Sequence, residues 1–200
     1  MKKDLISLYK NDKSIIESKI SDFKSLPEKD YFKEFMFCLL TPQSNAKKCW
    51  DAVEKLENIS LKETKKIEEI LKTRTRFYKT KAVRLSKAQE AFNQILPILN
   101  NTNRISLRNK IQELVNGYGL KEAGHFLRNI GKSDNQIAIL DRHILRNLES
   151  IQVIEMPKSM NKRSYLELEQ KFLKFSKEIG IPIDHLDILF WSKETGEVFK

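Results

Sequence analysis

Cysteine is nearly missing from this 200-residue chain: there are two, Cys38 and Cys49, eleven residues apart. Neither belongs to a C-x-x-C pair and there is no four-cysteine set, which excludes thiolate-bound zinc and iron–sulfur clusters. Both sit among apolar or amphipathic neighbours and read as reduced thiols packed in helices. No window reaches the roughly 18 uninterrupted apolar residues that a membrane span needs, and the start Met1-Lys2-Lys3-Asp4 lacks a signal-peptide core. The expectation is a cytoplasmic protein with no membrane partner. Glycine (six) and proline (five) are sparse, and strict apolar/polar alternation over strand lengths is hard to find. An all-α chain follows.

Apolar residues at helical spacing predict helices over 13–25, 31–40, 46–56, 61–72, 80–99, 106–116, 120–130, 142–150, 162–179 and 182–192. Ser25-Leu26-Pro27, Asn100-Asn101-Thr102-Asn103 and the polar run Gly131-Lys132-Ser133-Asp134-Asn135 break them with turn chemistry. A 40% hydrophobic content fills one sizeable core, divided into two helical lobes that share a cleft. Residues 26–131 form the central bundle, ending in a helical hairpin; residues 1–25 and 132–200 form the second lobe. The 37 Lys and Arg against 27 Asp and Glu leave a formal charge of +10, which favours a polyanionic partner, nucleic acid first among them.

The densest local signal is Val115-Asn116-Gly117-Tyr118-Gly119-Leu120-Lys121-Glu122-Ala123. Leu114, Val115 and Leu120 flank the glycines, and Ala123, Phe126, Leu127 and Ile130 recur at helical spacing behind them, so two helices meet at a glycine turn. Gly117 and Gly119 let the backbone take positive φ and approach a partner, and the following helix start offers unpaired amides to a phosphate. Many helical hairpins use glycine only to turn, and that plainer reading stands beside the first. Lys121 separates them: in the first turn of a helix the macrodipole disfavours an ammonium ion. A cation there makes sense if it contacts phosphate or serves as an amine nucleophile. Asp141, just before the helix at Arg142, can act as an N-cap, as a carboxylate that assists such an amine, or as both.

With Asp141 some twenty residues on, the hairpin segment resembles the helix-hairpin-helix DNA glycosylase superfamily. Asn116 stands where many members carry proline, and the downstream loop has none. More narrowly, the segments 120–131 and 139–144 and the terminal Thr195-Gly196-Glu197-Val198-Phe199-Lys200 are similar to the type 2 8-oxoguanine DNA glycosylase/AP lyase family, with the likeness running from about Tyr31 to the C-terminus. The resemblance implies excision of 8-oxoguanine from duplex DNA by Lys121, through a Schiff base, followed by β-elimination, with Asp141 assisting. Double-stranded DNA carrying 8-oxoguanine or an abasic site is then the partner, the protein acts as a monomer, and no cofactor is called for. A monovalent cation on the hairpin carbonyls is compatible with the motif.

The same likeness makes Phe77, in Arg76-Phe77-Tyr78-Lys79-Thr80-Lys81-Ala82, and Trp191 stacking faces for a flipped base, and Lys200 a group that senses its N7–H. Without it, Phe77 and Trp191 read as core residues and Lys200 as a solvated end. Gln43, in Leu40-Thr41-Pro42-Gln43-Ser44-Asn45-Ala46, either fills the gap behind a flipped base or belongs to a proline-initiated turn that caps the next helix. Arg142, Arg146 and the cluster Lys72-Arg74-Arg76-Lys79-Lys81-Arg84 read as phosphate contacts or solvated faces. His143 belongs with the DNA-contacting set. His125 and His143 find no third ligand, so no metal site is expected.

Overall fold

The computed structural model describes residues 2–196, and every regular element among them is helical. Among these residues no helix is long and apolar enough to cross a membrane. Two compact units divide the chain: Pro27–Phe126 is one, and the described residues of Met1–Leu26 and Leu127–Lys200 are the other.

Pro27–Phe126 holds α2 (Tyr31–Leu40), α3 (Ala46–Leu56), α4 (Thr64–Lys72), α5 (Tyr78–Ser86), α6 (Ala88–Ile95), α7 (Arg104–Leu114) and the first turns of α8 (Leu120–Asn129). α2 is apolar on nearly every side, and every residue from Glu34 to Leu40 is buried, as a helix at the centre of a bundle must be. Phe35 is its hub. Its ring lies 5.1 Å from Tyr118, 5.5 Å from Phe92 and 5.8 Å from Phe126, so one side chain ties three helices and the hairpin together. Truncating such a ring costs about 3–5 kcal/mol.

The other unit holds α1 (Lys2–Ser25), α9 (Arg142–Ser150), α10 (Lys162–Ile179) and α11 (Ile183–Thr195). α1 extends well ahead of the expected start at residue 13, because Leu5 and Tyr9 continue the buried stripe of Ile16 and Phe23 backwards. Tyr9 Oη lies 2.9 Å from His185 Nδ1 on α11, and Phe172 of α10 stacks on Phe190 of α11 at 6.0 Å. Gly131 takes φ 67° after α8, where a Cβ would come within 2.5 Å of the Lys24 Cα. The backbones of the two segments touch, so only glycine fits.

The single helix expected over 80–99 is instead α5, α6 and a 3-10 turn at Leu96–Ile98. Buried Ala82, Leu85, Ala88, Phe92 and Ile95 keep helical spacing through the break, which is why the pattern hides it. Lys87 sits at φ −105°, ψ 0°, with its amide bonded to the Arg84 and Leu85 carbonyls rather than one turn back. α4 begins at Thr64 instead of residue 61, and α2, α3, α9 and α10 start and stop where the sequence predicts.

Candidate active site

In Pro27–Phe126 the site grows from the end of α2. A helix leaves its last carbonyls unpaired, and the Leu40 carbonyl, the Pro42 carbonyl and the Ser44 hydroxyl all turn toward one point. The ammonium of Lys81 fills that point, donating to Leu40 O at 2.7 Å, Pro42 O at 2.9 Å and Ser44 Oγ at 2.8 Å. Three acceptors match the three N–H groups of an ammonium, and a cation at a helix C-terminus complements its dipole. The side chain is 1% exposed. Burial, reinforced by Arg84, Lys121 and Arg76, pulls its pKa down to about 8, although Cys49 pushes the other way. Lys81 is therefore neither a phosphate contact nor part of a solvated face. Arg74 also departs from that reading, since its guanidinium pairs with Asp51 and donates to the Ile70 carbonyl.

Ser44 joins two loops. Its hydroxyl also receives the Arg76 amide at 3.0 Å, and Asn45 beside it caps α3 by accepting from the Lys48 amide. Gln43, one residue before Ser44, is exposed with φ 53°; Phe77, one residue after Arg76, is 55% exposed with φ 55°. Left-handed backbone at a non-glycine residue costs on the order of 1–3 kcal/mol and persists only where its surroundings impose it. Phe77 is thus excluded from the core, and the Arg76 guanidinium lies 5.3 Å from its ring centre.

The hairpin follows α7. Gly117 takes φ 101°, where a Cβ would sit 2.6 Å from Arg84 Cδ, whereas Gly119 is not left-handed. Only one of the two glycines is required by its torsion. Gly119 contributes its amide, which donates to Glu122 Oε2 at 3.0 Å and fixes that carboxylate at the start of α8. The other oxygen of Glu122, Oε1, lies 3.5 Å from Lys121 Nζ, and both side chains are largely shielded. Tyr118 points inward, donating from its hydroxyl to the Phe35 carbonyl at 2.7 Å, with burial raising its pKa well above the usual value. Cys49 is fully buried, its thiol donates to Leu40 O at 3.3 Å, and burial holds its pKa up at about 11 against the pull of Lys81 and Lys121. His125 is buried against the Phe37 ring at 5.6 Å.

In the other unit, residues 137–140 run as a buried non-helical segment whose amides need partners inside the protein. Glu169 accepts from the Ala138 amide at 2.9 Å, while the Tyr165 hydroxyl donates to Ala138 O at 2.8 Å and accepts from the Leu140 amide at 3.3 Å. This scaffold delivers Asp141 to the start of α9. Asp141 Oδ1 accepts from the His143 and Ile144 amides, each at 2.8 Å, so the capping role is real and uses one oxygen of the carboxylate. Arg142 is exposed, and His143 Nδ1 lies 3.7 Å from Glu194 Oε2. Buried Asn147 donates to Glu194 and accepts from Lys193, pinning the end of α11 to α9. Trp191 on α11 is half-buried, and Lys200 lies outside the described residues.

From the sequence, Lys81 enters only as one of a basic cluster and Ser44 only as part of the Gln43 loop, while Tyr165 and Glu169 are given no site role. Lys81 carried a signal only in hindsight: it lies four residues after Phe77, on a helix whose Ala82 and Leu85 are core. Among the described residues no group of three or more His, Cys, Asp and Glu side chains is placed to hold a metal.

Residues 16–181 match the family described as 8-oxoguanine DNA glycosylase. The 8-oxoguanine DNA glycosylase/AP lyase of Fusobacterium nucleatum is 37% identical, covering 98% of this chain and 96% of its own. The protein of the same name from Methanocaldococcus jannaschii is 34% identical over 94% of this chain and 93% of its own. A crystal structure of the M. jannaschii 8-oxoguanine glycosylase/lyase in complex with a 15mer DNA containing 8-oxoguanine superposes with a TM-score of 0.87 at 33% identity, covering 98% of both chains. The 8-oxoguanine DNA glycosylase of Thermotoga maritima superposes with a TM-score of 0.88 at 28% identity, covering all of this chain and 98% of that one.

Proposed function

This chain belongs to the 8-oxoguanine DNA glycosylase family, and we propose that it excises 8-oxoguanine from duplex DNA and then nicks the strand, as a bifunctional N-glycosylase/AP lyase acting as a monomer in the cytoplasm. The observation that carries the reading is Lys121: an amine in the first turn of α8, directly behind the hairpin, with a carboxylate fixed 3.5 Å away by the Gly119 amide. A helix start built for stability alone would not carry it there.

The neutral amine of Lys121 attacks C1′ of the damaged nucleotide. The C1′–N9 bond breaks, its electron pair leaves with the base, and the base takes up a proton. Loss of a proton from nitrogen and opening of the sugar ring give a C1′ imine with the lysine. Removal of a C2′ proton then expels the 3′ phosphate by breaking the C3′–O bond, which nicks the strand. Asp141 stabilises the positive charge that develops on the sugar, and its capping bonds hold the carboxylate in one orientation. The hairpin backbone at Gly117 and Gly119 comes close to backbone phosphate, the Gly119 amide itself being held by Glu122, and Arg142 and His143 contact phosphate as well. Phe77 and Trp191 supply stacking faces, Gln43 fills the vacated space, and Lys200 senses the oxidised base.

Borohydride trapping on an 8-oxoguanine duplex tests this. A covalent protein–DNA adduct that disappears in Lys121→Gln is expected. Binding without an adduct means a DNA-holding module, and trapping on other damaged bases but not on 8-oxoguanine means a different substrate.

A further inference from the structure

We propose that Lys81 is a positioning residue for DNA recognition, locking the loop that carries Gln43 to the turn that carries Phe77 so that the two are presented as one preformed pair of probes. The inference rests on the glycosylase reading above, in which both residues engage the duplex.

Of the five non-glycine residues with left-handed backbone among those described, the two in Pro27–Phe126 are Gln43 and Phe77, and both are exposed. Such torsions are imposed from outside the residue, and one buried cluster does it at both positions. On the Gln43 side, Lys81 Nζ holds the carbonyl before it, Pro42 O, and the hydroxyl after it, Ser44 Oγ. On the Phe77 side, Ser44 Oγ receives the amide of Arg76, and the Phe77 carbonyl accepts from the Lys81 backbone amide at 3.0 Å, closing the first turn of α5. Lys81 is thus bonded on both flanks of Gln43 and to Phe77 itself.

The ammonium does what no uncharged side chain of similar length can do. It satisfies three acceptors at once, two of them carbonyls at and just after the end of α2 whose other donors, the Cys49 thiol and the Ser44 hydroxyl, are longer at 3.3 Å. The titratable and charged groups facing it are the Cys49 thiol of α3 and the cations Arg76 of the turn, Arg84 of α5 and Lys121 of α8. All three cations among them oppose its charge, so the ammonium is held in place by its three acceptors against like charge on several sides. Probes fixed before DNA arrives lose no further torsional freedom on binding.

The experiment compares wild type, Lys81→Met and Ser44→Ala on two substrates: an 8-oxoguanine duplex, and an abasic site in a single strand, which has neither a base to stack nor a gap to fill. Lys81→Met is expected to slow single-turnover excision from the duplex by about tenfold to a hundredfold. Borohydride trapping on the single strand should stay within about twofold of wild type. In a Gln43→Ala/Phe77→Ala background the Lys81→Met loss should nearly vanish, because its effect runs through those two residues. Ser44→Ala, which keeps the charge and removes the shared hydroxyl, should give the same pattern at smaller amplitude and serves if Lys81→Met does not fold. Equal losses on both substrates, an undiminished loss in the double-alanine background, or no loss at all would overturn the proposal. A wild type that ignores 8-oxoguanine but traps on another damaged base overturns the functional reading alone, and the same ratios are then read on that base.

Discussion

The hydroxyl of Tyr118, at the tip of the glycine hairpin, donates to the main-chain carbonyl of Phe35 in the middle of α2. The turn proposed to hold DNA is thereby fastened to the most buried helix of its unit. Tyr118→Phe keeps the ring packing on Phe35 and Phe126 and removes only this bond. A loss of about 1 kcal/mol is expected in urea unfolding, since a buried neutral hydrogen bond contributes roughly that much.

Asp141→Asn separates capping from chemistry. Asparagine caps helices about as well as aspartate, so stability at neutral pH should change by only a few tenths of a kcal/mol. The charge is lost, and excision should slow by a factor of about 100 or more. Asp141→Ala should lose the same activity and, in addition, about 0.5–2 kcal/mol of stability. An Asp141→Asn variant as active as wild type would leave the residue a cap and nothing more.

Phe77→Ala should not destabilise the protein, because the ring is exposed and alanine bears the same backbone strain. Affinity for a duplex holding a flipped base should fall by about 1–3 kcal/mol if the ring stacks on it. Calorimetric melting beside a binding isotherm checks both halves.

Lys81 and Cys49 give the stability a two-part pH dependence. Lys81 has its pKa lowered from 10.5 to about 8, so between those values the unfolded chain binds more protons and stability rises with pH. Cys49 has its pKa raised from 9.0 to about 11, so over that window the folded chain binds more and stability falls. From about 8 to 9 the rise is unopposed, and above 9 the two work against each other. Urea midpoints measured across this range should lose the early rise in Lys81→Met, while in Cys49→Ala the rise should run on to about 10, where Tyr118, its pKa raised by burial, begins to oppose it. A flat wild-type curve between pH 8 and 9 would contradict the assignment to Lys81.

Gly131→Ala should be strongly destabilising. The new Cβ meets the α1 backbone, which cannot step aside, and it does so at φ 67°. A cost on the order of 2–3 kcal/mol is expected from thermal melting.

Much of this was legible in the sequence because it depends on neighbours along the chain. The ends of α2, α3, α9 and α10, the hairpin, the capping bonds of Asp141 and the lysine in the first turn of α8 all follow from a few consecutive residues. Lys81 did not, because the three acceptors that let a lysine be buried come from residues 40–44, and the letters around it describe a basic, solvated helix. The break at Lys87 was hidden for a related reason: core spacing continues straight through it. Phe77 read as core on hydrophobicity alone, and only a backbone torsion, which no periodicity records, turns it outward.

An enzyme directed at oxidised bases works where oxidants are present, and the two cysteines of this chain are both buried. Oxidants attack the thiolate, and the Cys49 thiol, held up at about 11, stays protonated at neutral pH. Cys49 is thus kept in a form that peroxide attacks slowly, whereas the thioethers of exposed Met156 and Met160 have no such protection, so peroxide should yield methionine sulfoxide there before it touches the cysteine.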